Sequence, residues 1–286
     1  MSEPARSELI GMIADLKDWL RAYAMHPACV DVAFIGNTSG HYPSTPGLMV
    51  DFDAFVFVAE MNSAAGQPIA ALRERWTDAC HARAIDFELR IVEGPYKPPL
   101  AILRRPVLVV HLGVFTESLY LAAAPLKRWA WRKYICEREP GRLARMAPPR
   151  PTLAEFITGP KGLRERCEAI EAGAVEMTEW LLPDLQARSF VITLDEANFV
   201  ECCFAYAANT ARNHARTLGM GEADQLPNSE FFSWYDQTVL RSPELVDLMN
   251  HKAACRDQGF VVEIAHARRL ALRYMRALER HLAQIS

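Results

Sequence analysis

Between Cys29 and Val58 the chain reads CVDVAFIGNTSGHYPSTPGLMVDFDAFVFV, and this stretch restricts the possible folds more than any other. An apolar run breaks at Gly36-Asn37, passes through a polar loop of Gly, Pro and Ser, and resumes with Asp51-Phe52-Asp53. The two apolar runs predict strands at Val30–Ile35 and Val50–Val58. Side chains alternate along a strand, so Asp51 and Asp53 project to one face while Val50, Phe52 and Ala54 project to the other. Two carboxylates on one face at the start of a buried strand cost free energy unless something compensates them. A divalent cation is the usual compensation. The loop before them offers backbone N–H groups near where such a cation would hold a phosphate chain. That chemistry suits phosphoryl or nucleotidyl transfer.

The rest of the chain divides in two. Leu9, Ile10, Ile13, Leu16, Leu20 and Tyr23 have helical spacing, and His26-Pro27 stops that helix. After the Asp-x-Asp strand a helix is predicted from about Pro68 to Ala82, with Ile69, Leu72 and Trp76 on one side. Ile85 to Val92 alternates cleanly: Ile85, Phe87, Leu89 and Ile91 share one face, and Asp86, Glu88 and Arg90 the other. The turn-rich EGPYKPP loop follows, and a strand at Pro106–Val114 is expected to pair back against Ile85–Val92. After Thr116 helical patterns dominate: Glu117–Arg138, Leu163–Leu182, Leu194–Leu218, Pro243–Cys255 and Phe260–Ile285. The expected fold class is therefore α+β, a small mixed-sheet domain over 1–116 followed by an α-helical bundle over 117–286. The APPRPT stretch at Ala147–Thr152 reads as a linker or seam.

At 286 residues, half hydrophobic and 23% charged, the chain has the composition of a globular protein with a sizeable core. A formal net charge of −3 gives no general attraction to nucleic acid or membranes, so polyanion binding would need a local patch. Seven cysteines, an odd number without a C-x-x-C pair, and no secretory leader lead to the expectation of reduced thiols and a cytoplasmic location. No apolar run is long enough to span a bilayer.

Gly36-Asn37, the spacer, Asp51-Phe52-Asp53 and a later strand carrying an acid together resemble the DNA polymerase β-like nucleotidyltransferase superfamily. The helical bundle behind the α/β unit resembles its antibiotic and minimal nucleotidyltransferases. The resemblance implies Mg²⁺ or Mn²⁺ as cofactor and an NTP as co-substrate. It implies metal ligation by Asp51, Asp53 and a third acid, with Gly36, Asn37, Thr38, Ser39 and Lys97 near the phosphates. Asp86 and Glu88 are both candidates for that acid; the resemblance favours Asp86, since the family commonly has its acid between two apolar residues early in this strand, as in Ile85-Asp86-Phe87, although Phe87-Glu88-Leu89 fits nearly as well. Two departures stand out: Asn37 replaces the family's usual Ser, and His41, Pro43, Pro46 and Gly47 oppose the helix that usually follows the turn.

Other features carry less. Lys127, Arg128, Arg132 and Lys133, interleaved with Trp129 and Trp131, could hold a triphosphate, but read more simply as a solvated helix face over buried tryptophans. Asn198, Glu201, Asn209 and Arg212 could line an acceptor pocket or make hydrogen bonds between helices. The C-terminal arginines suit salt bridges within and between helices. Cys and His lack zinc-ligand spacing, and no G-x-S-x-G motif supports a hydrolase.

The expected activity is transfer of a nucleoside monophosphate from an NTP to a small-molecule acceptor, with pyrophosphate leaving. Two alternatives are a toxin–antitoxin-type nucleotidyltransferase acting on a protein or RNA partner, and a non-catalytic nucleotide-binding module on the same fold. The charge argues against a templated polymerase, no membrane partner is expected, and a homodimer is compatible with the bundle.

Overall fold

The computed structural model describes residues 3–35, 49–93, 107–193, 199–220, 226–257 and 264–285. Candidates Gly36, Asn37, Thr38, Ser39 and Lys97 lie outside the described residues. The chain begins with α1 (Glu3–Tyr23), β1 (Cys29–Ile35), β2 (Met49–Val58), α2 (Ser63–Ala82), β3 (Glu88–Glu93) and β4 (Val107–Phe115). It continues with α3 (Glu117–Ala122), α4 (Pro125–Trp131), β5 (Tyr134–Cys136), α5 (Arg142–Arg145), α6 (Leu153–Thr158), α7 (Leu163–Ala172), β6 (Val175–Leu181) and β7 (Gln186–Ile192). The last elements are α8 (Phe199–Thr217), α9 (Asn228–Tyr235), a π-helical turn (Asp236–Leu240), α10 (Glu244–Asp257) and α11 (Ile264–Ile285).

All seven strands form one mixed sheet in the order β5-β1-β2-β4-β3-β6-β7. The three central strands β2, β4 and β3 are parallel, and the strands flanking them run antiparallel. Parallel pairing of β2 and β3 with β4 needs crossovers, and α2 supplies the first by packing onto the sheet. Its N-cap is Asn62, whose side chain accepts the Ala65 N–H at 3.1 Å. That cap starts the helix five residues before Pro68, earlier than the proline alone suggests. Trp76 then locks α2 to the sheet by donating its indole N–H to the Phe87 carbonyl at 2.9 Å.

One face of the sheet is closed by α1 and α2. Ile13, Leu16 and Leu20 meet Ile69 and Trp76 there, over Val32, Ala54, Val56, Leu108, Val110 and Leu112. The opposite face carries two clusters. Over β1, β2 and β4, an aromatic group of Phe55, Phe57, Phe115, Tyr120 and Tyr134 packs beneath Trp131 of α4. Over β6 and β7, Val175, Met177 and Ile192 meet the buried sides of α7, α8 and α11.

Three predicted elements differ from the structure. The helix expected over Leu163–Leu182 ends at Gly173, whose φ of 71° is left-handed, and the chain turns into β6. The helix expected over Glu117–Arg138 is broken at Pro125 and gives way to β5. The strand expected from Ile85 starts at Glu88, opposite Val107, the first residue of β4. The part beyond residue 117 thus contributes β5, β6 and β7, so the sheet crosses the expected domain boundary.

Candidate functional site

Strand register fixes which side chains share a face. Asp51 pairs with Val109, and Val109 with Arg90; Asp53 pairs with His111, and His111 with Val92. Met49, Val107 and Glu88 form the row before them. Asp53, His111, Arg90 and Glu88 therefore project from one face, opposite the α1–α2 core.

β4 lies between β2 and β3, so Glu88 stands about 10 Å, two strand spacings, from β2. Its carboxylate accepts the Arg90 Nε–H at 2.6 Å. Asp86 sits exposed in the segment before β3. Of the two sequence candidates, only Glu88 occupies the sheet. The strand bordering β2 brings a buried imidazole, His111, beside Asp53. Sequence reading missed His111, although a lone polar side chain in the otherwise apolar VLVVHLGVF strand was a signal.

Asp53 is half-buried and makes no ion pair among the described residues. The phenol of buried Tyr134 lies close enough that burial first, and then the charge of Asp53, push its pKa well up. Tyr134 in turn stacks on Phe55 with ring centroids 4.2 Å apart. A carboxylate at an aromatic wall with no counter-ion among the described residues is a site that favours a cation. Among the described residues no three His, Cys, Asp or Glu side chains converge as ligands. The Asp51 side chain is outside that set, and Asp53 and His111 are the described donors on these two rows. Carboxylate oxygen and imidazole nitrogen are a chemically sound donor set for a divalent ion.

The basic cluster on α4 has defined contacts. Arg128 is structural, donating to the carbonyls of Ala123 and Met146, both at 3.1 Å. Lys127 lies 3.6 Å from Glu93 and 5.5 Å from the Trp131 ring. Arg132 and Arg216 both lie over buried Trp129, at 4.5 and 5.4 Å. The α8 candidates divide: Asn198 is outside the described residues, as is the Glu201 side chain, and Asn209 is exposed. Arg212 is buried and donates to the Leu226 carbonyl and to Asn228 Oδ1, an interhelical hydrogen-bonding role. Arg276 and Arg273 make interhelical pairs with Glu171 and Glu244.

The face carrying Asp53 continues into a groove of about 470 Å³. Arg73, Glu88, Arg90, Glu179, Arg188 and Phe190 contribute to its lining. The row Asp53–His111–Val92–Glu179–Arg188 runs without interruption across five strands into it. Glu179 and Arg188 are cross-strand partners joined by an ion pair.

No helix among the described residues is long and apolar enough to cross a membrane. No family model matches the sequence, and neither a curated protein nor a solved structure shows significant similarity to it.

Proposed function

We propose that this chain is a metal-dependent nucleotidyltransferase that moves a nucleoside monophosphate from an NTP to a small-molecule acceptor. The observation that carries the reading is the position of Asp51 and Asp53. Asp53 lies on a central strand with Asp51 two residues before it, behind a Gly-containing loop, and a groove opens farther along the Asp53 face. In this reading Asp51 and Asp53 hold the cation, and the 36–48 segment meets the phosphates. Bound there, a divalent ion would neutralise charge on the triphosphate and its leaving pyrophosphate. The groove lies two to three strand spacings from β2, about 10–14 Å, which suits a small acceptor laid across β3 and β6 with one hydroxyl reaching toward Asp53. Its Arg–Glu pairs would orient the acceptor through hydrogen bonds, and Phe190 offers an apolar wall.

The test is pyrophosphate release by the purified chain with Mg²⁺ or Mn²⁺, four NTPs and a metabolite panel, beside calorimetry of NTP binding. Asp53→Asn should lower turnover by more than about 100-fold, the upper end of the range for residues that only support a metal ligand. NTP binding that ignores both the metal and this substitution would falsify the reading. One observation favours a second reading, a nucleotide-binding module without catalysis: the Glu88 carboxylate is held by Arg90, and β4 places no carboxylate beside β2. Metal-dependent NTP binding with no pyrophosphate release under any acceptor would select it.

A further inference from the structure

His111 occupies a position that neither the Asp-x-Asp motif nor the polar loop anticipates. It is the Cα partner of Asp53 on the strand bordering β2. Parallel strands lie about 4.8 Å apart and paired residues point the same way, so the two side chains rise side by side. That spacing lets a carboxylate and an imidazole share one ion. The surroundings are selective. Gly113, the next residue of β4 on this face, leaves its space to the Phe55 and Phe115 rings, and a Cβ there would crowd both. Val109 and Val92 flank His111 along its strand and across the sheet. Asp53 on one side and the aromatic cluster on the other thus frame the imidazole. Among the described residues, the charged groups that face this neighbourhood from other elements are Arg90 and Glu88 on β3, Glu179 on β6, and Lys127 and Glu93 at the far end. Each of these five is in an ion pair with another charged side chain.

We infer that His111 is a metal ligand together with Asp53, and that the site consequently takes a transition-metal ion such as Co²⁺, Zn²⁺ or Fe²⁺ more tightly than Mg²⁺. The inference rests on the reading of Asp51 and Asp53 as a cation site and adds a nitrogen donor to it. Imidazole binds borderline transition metals well and the hard Mg²⁺ ion poorly, whereas a site of carboxylates alone suits Mg²⁺. One His among oxygen donors therefore changes which ion fills the site.

Co²⁺ is the probe, because an imidazole bound to it shows a solvent-exchangeable N–H proton shifted far outside the normal ¹H NMR window. The full chain titrated with Co²⁺ should show such a resonance, and Mg²⁺ should compete for the site only at large excess. His111→Gln should abolish the resonance and weaken Co²⁺ by at least about tenfold. Asp53→Asn should abolish it too, and circular dichroism checks that both variants remain folded. If His111→Gln fails to fold, the resonance in the unaltered chain and its loss in Asp53→Asn decide the matter. Co²⁺ binding that Asp53→Asn removes, without a shifted N–H and unchanged in His111→Gln, overturns the role of His111 and leaves the carboxylate site standing. No Co²⁺, Mn²⁺ or Mg²⁺ binding sensitive to Asp53→Asn overturns both.

Discussion

Asp31 sets the strongest stability expectation in the molecule. It is fully buried at the irregularity in β1, where pairing with β2 shifts between Cys29 and Asp31. Its Oδ1 accepts the backbone N–H groups of Val32 and Arg138, both at 2.9 Å, and its Oδ2 accepts that of Glu139 at 3.1 Å. Arg142 Nε lies 3.3 Å from Oδ2 and is itself mostly buried. The carboxylate thus fastens β5 and the segment after it to the sheet edge. Asp31→Ala leaves three donors and a guanidinium without their acceptor. Each buried donor left unsatisfied costs about 1–3 kcal/mol, and breaking a buried ion pair costs about 3–5 kcal/mol. These costs overlap because the groups relax together, so about 4 kcal/mol is the expected total, a large share of the 5–15 kcal/mol typical of a folded domain. Asp31→Asn keeps one acceptor oxygen and should lose roughly half as much. Urea denaturation followed by tryptophan fluorescence measures both. A loss below about 1 kcal/mol for Asp31→Ala would show that the edge is held by packing alone, and the argument would be wrong.

Two further expectations concern packing and pH. A Cβ on Gly66 would overlap the carbonyl oxygen of Pro183 in the β6–β7 turn, so Gly66→Ala should cost about 1–3 kcal/mol by urea denaturation; an unchanged midpoint refutes the contact. Burial brings His214, whose Nδ1 lies 2.8 Å from the Tyr235 hydroxyl, down to about 4, and brings the neighbouring Asp236 up to about 7. The depressed His214 contributes stability that is present above about 6.5 and lost as pH falls through about 4; the raised Asp236 contributes stability that is present below about 4 and lost as pH rises through about 7. The two slopes oppose each other, so His214→Gln should leave a chain that weakens with rising pH and Asp236→Asn one that weakens with falling pH. Parallel denaturation-midpoint profiles for all three proteins from pH 4 to 7.5 would contradict this.

Local chemistry was legible in the sequence where one element alone decided it. The apolar faces of α1 and α2 follow from spacing, and the placement of Asp53 on the face away from Ala54 and Val56 follows from strand alternation. Strand order was not legible, because it depends on distant partners. β4 follows β3 in the chain yet inserts between β3 and β2, which separates Glu88 from Asp53 and brings in His111. The β6–β7 hairpin was hidden for another reason. Ile170 and Met177, seven residues apart, fit a helical stripe while Val175 and Met177 fit alternation, and the ambiguity resolves only at Gly173. β5 is three residues long, and its edge position is set by Asp31, 103 to 105 residues earlier. The candidate site was thus half legible: its carboxylates could be read from one strand, and its neighbours required the sheet.

The electrostatics of that sheet separate its carboxylates into two kinds. Glu88 has Arg90 and Glu179 has Arg188; Glu93 has Lys127, and Asp31 has Arg142. Asp53 has an imidazole on one side and an aromatic cluster with a buried phenol on the other, and makes no ion pair with a described residue. A fold that used all its carboxylates for stability would pair them all, because an ionised group half out of water without a counter-charge is destabilising. Arg90 shows that the sheet can place a guanidinium on this face, since it stands two strands from Asp51 in the same row. That guanidinium is engaged by Glu88, and among the described residues Asp53 is left in need of a counter-charge. A bound cation satisfies that requirement, and it predicts that metal binding raises the stability of the chain by an amount set by ion concentration over its dissociation constant. The same increment should vanish in Asp53→Asn.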